Sequence, residues 1–200
     1  MPCAMGLAVL AEPVTALLGG YEGANLALAT RLMTILGISI IFNAVVLLTN
    51  AMMQAHGHPT IPVINVFIGG LCKLAMVFIL TGNPAINILG APIGTVCCYL
   101  IITLLNLMTM RRVVPHPPAV LRNLVRPFLA AAIMGSCARG AWWVLKSVAG
   151  IGSSLSLCAI PVLVGVVVYV VAAVALKAIT KEDCLLLPKG AKIAKILHLR

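Results

Sequence analysis

Acidic residues are nearly missing: only four Asp and Glu stand among 200 residues. Charged residues of both signs amount to 9% and aromatics to 4%. A soluble domain carries about 25% charged residues, so this chain cannot cover a water-facing surface. Disorder is excluded on the opposite ground. Disordered chains are poor in apolar residues, whereas these reach 62% here, with a mean hydropathy of +1.15. No Cys-x-x-Cys pair occurs, and Cys72, Cys97, Cys98, Cys137 and Cys158 lie inside apolar stretches. They read as small packing residues rather than a disulfide frame. His-Glu-x-x-His, a phosphate-cradling glycine loop and Gly-x-Ser-x-Gly are all absent, so no enzyme chemistry is visible and no cofactor is implied. His56 and His58 have no Cys or carboxylate beside them and make a poor metal pair. An integral membrane protein remains.

A helix needs about 20 apolar residues to cross about 30 Å of hydrocarbon. Six stretches qualify: 2–19, 31–54, 59–81, 86–110, 127–148 and 154–178. The expected fold class is therefore all-α, a polytopic transmembrane helix bundle over 1–178 followed by a basic tail over 179–200. The first span is the weakest. It contains Glu12 and Pro13, starts at Met1 without a preceding basic residue, and reads as a helix whose beginning is cut off rather than a signal peptide. The fifth is also marginal, because a central Arg such as Arg139 costs about 2.5–3.5 kcal/mol while each Leu, Ile, Phe or Val contributes only about 0.3–0.6. That helix should lean on its neighbours.

The 14 basic residues write the topology. An even number of spans puts both ends on one side. That side holds Arg111, Arg112, Arg122 and Arg126 together with the basic residues of the tail, whereas only Arg31 and Lys146 lie opposite. Such a bias predicts cytoplasmic ends in a multi-pass plasma-membrane protein. The basic residues sit between apolar runs rather than on a polar surface, so nucleic acid is not an expected partner. In the tail, Lys189, Lys192 and Lys195 alternate with an Ile193, Ile196 and Leu197 face. This pattern fits a short amphipathic helix on anionic inner-leaflet lipids, or a basic end that serves topology alone.

Polar groups inside a membrane usually face protein or water. In the third span His58, Pro62, Asn65, Gly69 and Lys73 make one helical stripe, with Lys73 near mid-plane. Ser39, Asn43, Asn50 and Gln54 share a face of the second span; Asn87, Ala91, Gly94 and Cys98 share one in the fourth. Gly90 and Gly94 have the spacing that allows close helix approach. These faces either line a polar pathway or bond helix to helix. Arg139, seven residues before Lys146, can snorkel outward. Glu12 is either the partner of Lys73 or a residue beside a broken helix end. The candidate substrate path is thus Lys73, Asn65, Asn43, Asn50, Gln54, Arg139 and Glu12.

The run Gly6-Leu7-Ala8-Val9-Leu10-Ala11-Glu12-Pro13 resembles the ninth span of the stage V sporulation protein B group of polysaccharide exporters. The Gln54-Ala55-His56-Gly57 turn before Pro59 is similar to the turn after that group's tenth span. Asn87-Ile88-Leu89-Gly90-Ala91-Pro92-Ile93-Gly94-Thr95, with Tyr99 and Asn106, looks like its twelfth. Glu182-Asp183-Cys184-Leu185-Leu186-Leu187-Pro188-Lys189-Gly190 resembles its ending, although Ala191 stands where the group usually has an acidic residue. The group belongs to the multidrug/oligosaccharidyl-lipid/polysaccharide exporter superfamily, which includes the lipid II flippases. The resemblance implies the last six of about fourteen spans of a two-lobed, alternating-access flippase. It would move undecaprenyl-pyrophosphate-linked glycans, such as peptidoglycan or spore-cortex precursors, outward across the bacterial plasma membrane. It also implies that an N-terminal lobe, carrying most of the arginines that grip pyrophosphate in lipid II flippases, completes the cavity. Lys73 would then hold or guide the anionic head group. Two other expectations stand beside this one: a cation-coupled multidrug exporter of the same superfamily, which favours intramembrane carboxylates, and a truncated, non-transporting membrane module.

Overall fold

The computed structural model describes residues 1–21, 23–84, 86–114, 120–148 and 154–176, with side chains described there except at 120–123, 148 and 154–157. Among them all regular structure is helical: α1 (Pro2–Val9), α2 (Ala11–Gly19), α3 (Gly23–Ala55), α4 (Thr60–Thr81), a 3-10 turn (Asn87–Leu89), α5 (Gly90–Val113), α6 (Val120–Val148) and α7 (Ser154–Ala175). Five helices are long and apolar enough to cross a membrane, or six spans if α1 and α2 count as one bent by 74°. The chain is an all-α multi-pass membrane bundle. The tail, with Lys189, Lys192 and Lys195, lies outside the described residues.

Local chemistry explains the ends. Pro2 opens α1 and Pro62 sits in the first turn of α4, where an amide hydrogen has no intrahelical acceptor in any case. α3 ends in a Schellman turn: the His58 N–H reaches the Met53 carbonyl and the Gly57 N–H the Gln54 carbonyl, with Gly57 at φ 80°. Arg111 and Arg112 occupy the last turn of α5, at the negative end of its dipole.

Two boundaries differ from the hydropathy reading. α3 begins at Gly23 rather than Arg31, because Gly23–Thr30 is rich in Ala and Leu and propagates the helix. Its 33 residues span about 50 Å, more than the hydrocarbon, so it tilts or projects. α6 begins before Pro127, which lies inside the helix, as neighbouring groups allow in transmembrane helices.

Packing divides the bundle into a trio and a pair. α5 packs between α3 and α4, and α6 packs on α7. The bent first span joins them: α1 touches α3 and α6, while α2 touches α3 and α7. Without a hydrophobic force between helices in lipid, small residues set these contacts. A Cβ on Gly90 would lie 2.8 Å from Leu80 Cβ, and one on Gly94 2.6 Å from Val77 Cγ2. The Gly90/Gly94 spacing is therefore the α4–α5 contact. Gly37 plays the same part between α3 and α1, where a Cβ would stand 2.8 Å from the Ala8 nitrogen. α4 lies at the edge of the trio, with only 11% of its apolar window buried.

Candidate functional site

The intramembrane polar residues fall into three separate places. The first is a buried network joining α3, α4 and α5. Asn106 Nδ2 donates to Asn50 Oδ1 at 2.7 Å and to Thr49 Oγ1 at 2.9 Å, and its Oδ1 accepts from Asn65 Nδ2 at 2.9 Å. Asn65 also donates to Thr109 Oγ1 at 3.2 Å. The hydroxyls of Thr49 and Thr109 turn back to the carbonyls of Val45 and Leu105. Among the described residues no buried side-chain nitrogen or oxygen lacks a partner. Asn50 and Asn65 are thus engaged helix to helix, as polar groups in hydrocarbon require. Asn106, central to the network, stood outside the candidate path; its helical register with Thr109 and Thr103 was the available signal. Asn43 is half-buried and Gln54 exposed at the end of α3, and neither side chain makes a hydrogen bond among the described residues. The third-span stripe mostly faces α5: Pro62, Asn65 and Gly69 are buried, while His58 is exposed.

The second place is the break in the first span. Proline has no N–H, so Pro13 offers no donor to the carbonyl four residues earlier, that of Val9. Arg139 Nη1 supplies one at 3.1 Å from α6. The neighbouring Ala8 carbonyl accepts from Thr34 Oγ1 of α3 at 3.4 Å. Helices on both sides therefore fill the gap that the bend opens. Two turns along α6, Lys146 Nζ pairs with Glu12 Oε1 at 2.9 Å. The Trp142 ring lies between the two cations, 5.5 Å from the Arg139 guanidinium carbon and 4.7 Å from Lys146 Nζ. Arg139, read in the sequence as able to snorkel outward, is exposed and donates to a backbone carbonyl that Pro13 leaves without its helical donor. Glu12 meets Lys146 rather than Lys73. The pair is open, with side-chain exposures of 34% and 58%, so its strength depends on what surrounds it.

The third place is a groove of about 470 Å³ between α3, α4 and the start of α5. Leu32 and Leu36, Leu74 and Val77, and Ile88 and Thr95 supply its walls, and Lys73 is its one charged residue. Lys73 is half-buried and has neither a hydrogen bond nor an ion pair among the described residues. The Thr95 hydroxyl is turned to the Ala91 carbonyl at 3.1 Å. The chemistry on offer is one ammonium group in apolar surroundings.

No three metal-binding side chains gather among the described residues. The His56 ring nitrogen Nδ1 lies 2.9 Å from the Met52 carbonyl. The seven residues singled out in the sequence therefore do not converge. Asn50 and Asn65 share the network, Glu12 and Arg139 share the break, and Lys73, Asn43 and Gln54 stand apart. Comparison of the chain with protein-family models, curated proteins and solved structures finds no match.

Proposed function

We propose that the chain forms the last spans of a bacterial plasma-membrane flippase that exports undecaprenyl-pyrophosphate-linked glycans, with its ends cytoplasmic. It moves its substrate and makes no covalent bond. The observation that carries this reading is Lys73, a cation that has no counter-ion among the described residues and lies in an apolar groove. An isolated intramembrane charge is costly unless it serves a ligand or a pathway, and an ammonium group suits a phosphate. The motif resemblance supplies the substrate class, and the excess of Arg and Lys at one end of the bundle supplies the orientation. An N-terminal lobe of the same transporter is the partner, and the tail meets anionic inner-leaflet lipids.

The competing multidrug exporter needs an available carboxylate for cationic cargo. Among the described residues Glu12 is the only acidic side chain, and it is paired with Lys146. Replacing Lys73 by Ala in the full-length protein should abolish or strongly reduce precursor translocation in reconstituted vesicles. Unchanged translocation overturns the role of Lys73. Efflux of cationic drugs by the full-length protein would favour the multidrug reading. Stable folding without translocation, even with the N-terminal lobe present, would favour a non-transporting module.

A further inference from the structure

The side of the membrane from which the Lys73 groove is reached follows from its position along the helices. Lys73 lies eight residues before Thr81, the end of α4, hence about 12 Å below it. Ile88, at the other extreme of the groove, belongs to the turn that leads into α5. Gly90 packs beside Leu80 and Thr81, and Gly94 beside Val77. The groove therefore climbs from Lys73 toward the end of the bundle that carries the α4–α5 connector. It does not descend toward the Arg111–Arg112 end.

Its side is exposed on the surface of the bundle. Leu74 lines the groove and is 70% exposed, and Phe78, one turn further along, is 84% exposed. α3 and α4, which flank this side, touch only sparsely. A free phosphate entering here would lose its hydration for a single ammonium group, since the Thr95 hydroxyl is already committed to Ala91. A phosphate on a lipid differs, because its chains rest on the apolar walls while the head group meets the cation.

We propose that the groove holds, from the side, the phosphate-bearing head group of a lipid in the leaflet at the α4–α5 connector end, with Lys73 as its counter-ion. The proposal rests on the reading of Lys73 as an anion-binding group. It adds the leaflet: on the orientation proposed above, the outer one.

The test uses the whole chain in nanodiscs of phosphatidylcholine with a minor share of phosphatidylglycerol. Native mass spectrometry counts the phosphatidylglycerol retained. Lys73→Met should lower retention about fivefold, the factor that one basic residue contributes at a lipid surface, and Lys73→Arg should keep it. Ala91→Phe, which narrows the groove and leaves Lys73 in place, should also lower it. A spin label on the phosphatidylglycerol head group, confined to one leaflet of a vesicle with oriented protein, should report contact only from the connector side. Equal retention by wild type and Lys73→Met, contact from the other leaflet, or displacement by millimolar inorganic pyrophosphate would each overturn the proposal. The last result would reveal a site for a soluble anion. Circular dichroism of each variant checks the fold, and Ala91→Phe keeps the test decisive if Lys73→Met unfolds. Lys73-dependent retention with intact translocation removes the flippase role of Lys73 and leaves this site standing. Lost translocation with unchanged retention does the reverse.

Discussion

The break in the first span gives the sharpest test of the packing, because one residue creates the defect and another fills it. Pro13 deprives the Val9 carbonyl of a backbone donor, and Arg139 donates to it at 3.1 Å. Arg139→Met removes the donor and keeps much of the side-chain volume. A carbonyl left without a partner costs about 1–3 kcal/mol, but interhelical hydrogen bonds in membranes average about 0.6 and reach about 1.7 kcal/mol. About 1 kcal/mol is the expected loss from this bond. Loss of the contact with Trp142 adds about 0.5–1 kcal/mol. Pro13→Ala restores an N–H at residue 13, so Val9 regains a backbone donor and the bond from Arg139 becomes dispensable. Arg139→Met should then cost about 1 kcal/mol less in the Pro13→Ala background. The Trp142 contribution is common to both backgrounds and cancels in the double-mutant cycle. The assay is reversible unfolding in mixed dodecylmaltoside and dodecyl sulfate micelles, followed by tryptophan fluorescence. The two tryptophans of the chain, Trp142 and Trp143, both lie on α6 beside the break. A coupling below about 0.3 kcal/mol, the scatter of independent sites, would refute the account of the break.

Further outcomes can be read in the same unfolding assay. Asn106→Leu should destabilise by about 1–3 kcal/mol, since it strips partners from Asn50, Asn65 and Thr49 at once, while Asn43→Leu, which breaks no hydrogen bond, should be nearly neutral. Gly90→Ala should cost about 1–3 kcal/mol because its Cβ would press on the backbone of α4. Gly70→Ala meets nothing within 4 Å and should be neutral or stabilising by up to about 1 kcal/mol. Glu12→Gln should cost no more than about 1 kcal/mol, and less in high salt, as befits an open ion pair; a larger, salt-independent loss would mean that lipid or protein seals the pair.

Much of the fold was legible because membrane insertion depends on local composition. An apolar run of about 20 residues crosses the bilayer whatever its neighbours are. For that reason the helices containing Lys73 and Asn106 fall where hydropathy puts them within a few residues, while the one containing Arg139 starts earlier, at Val120. The weakness of the first span was equally legible in Pro13, and the α4–α5 contact in Gly90 and Gly94. Helical spacing also showed which polar residues share a face.

Partner choice is another matter, because it depends on how each helix is rotated and which helix stands beside it. In lipid those are decided by close packing and hydrogen bonds, not by burying apolar surface. Periodicity could group Asn65 with Lys73 on one stripe, yet the tertiary arrangement turns the first toward Asn106 and leaves the second without a partner among the described residues. It likewise gives Glu12 to Lys146, across 134 residues, and Arg139 to a carbonyl that only the bend makes available. The near-absence of acidic side chains already meant that most cations would lack a carboxylate. Only the packed bundle decided that, of the two cations within the spans, Arg139 would find a backbone acceptor and Lys73 would have no counter-ion among the described residues.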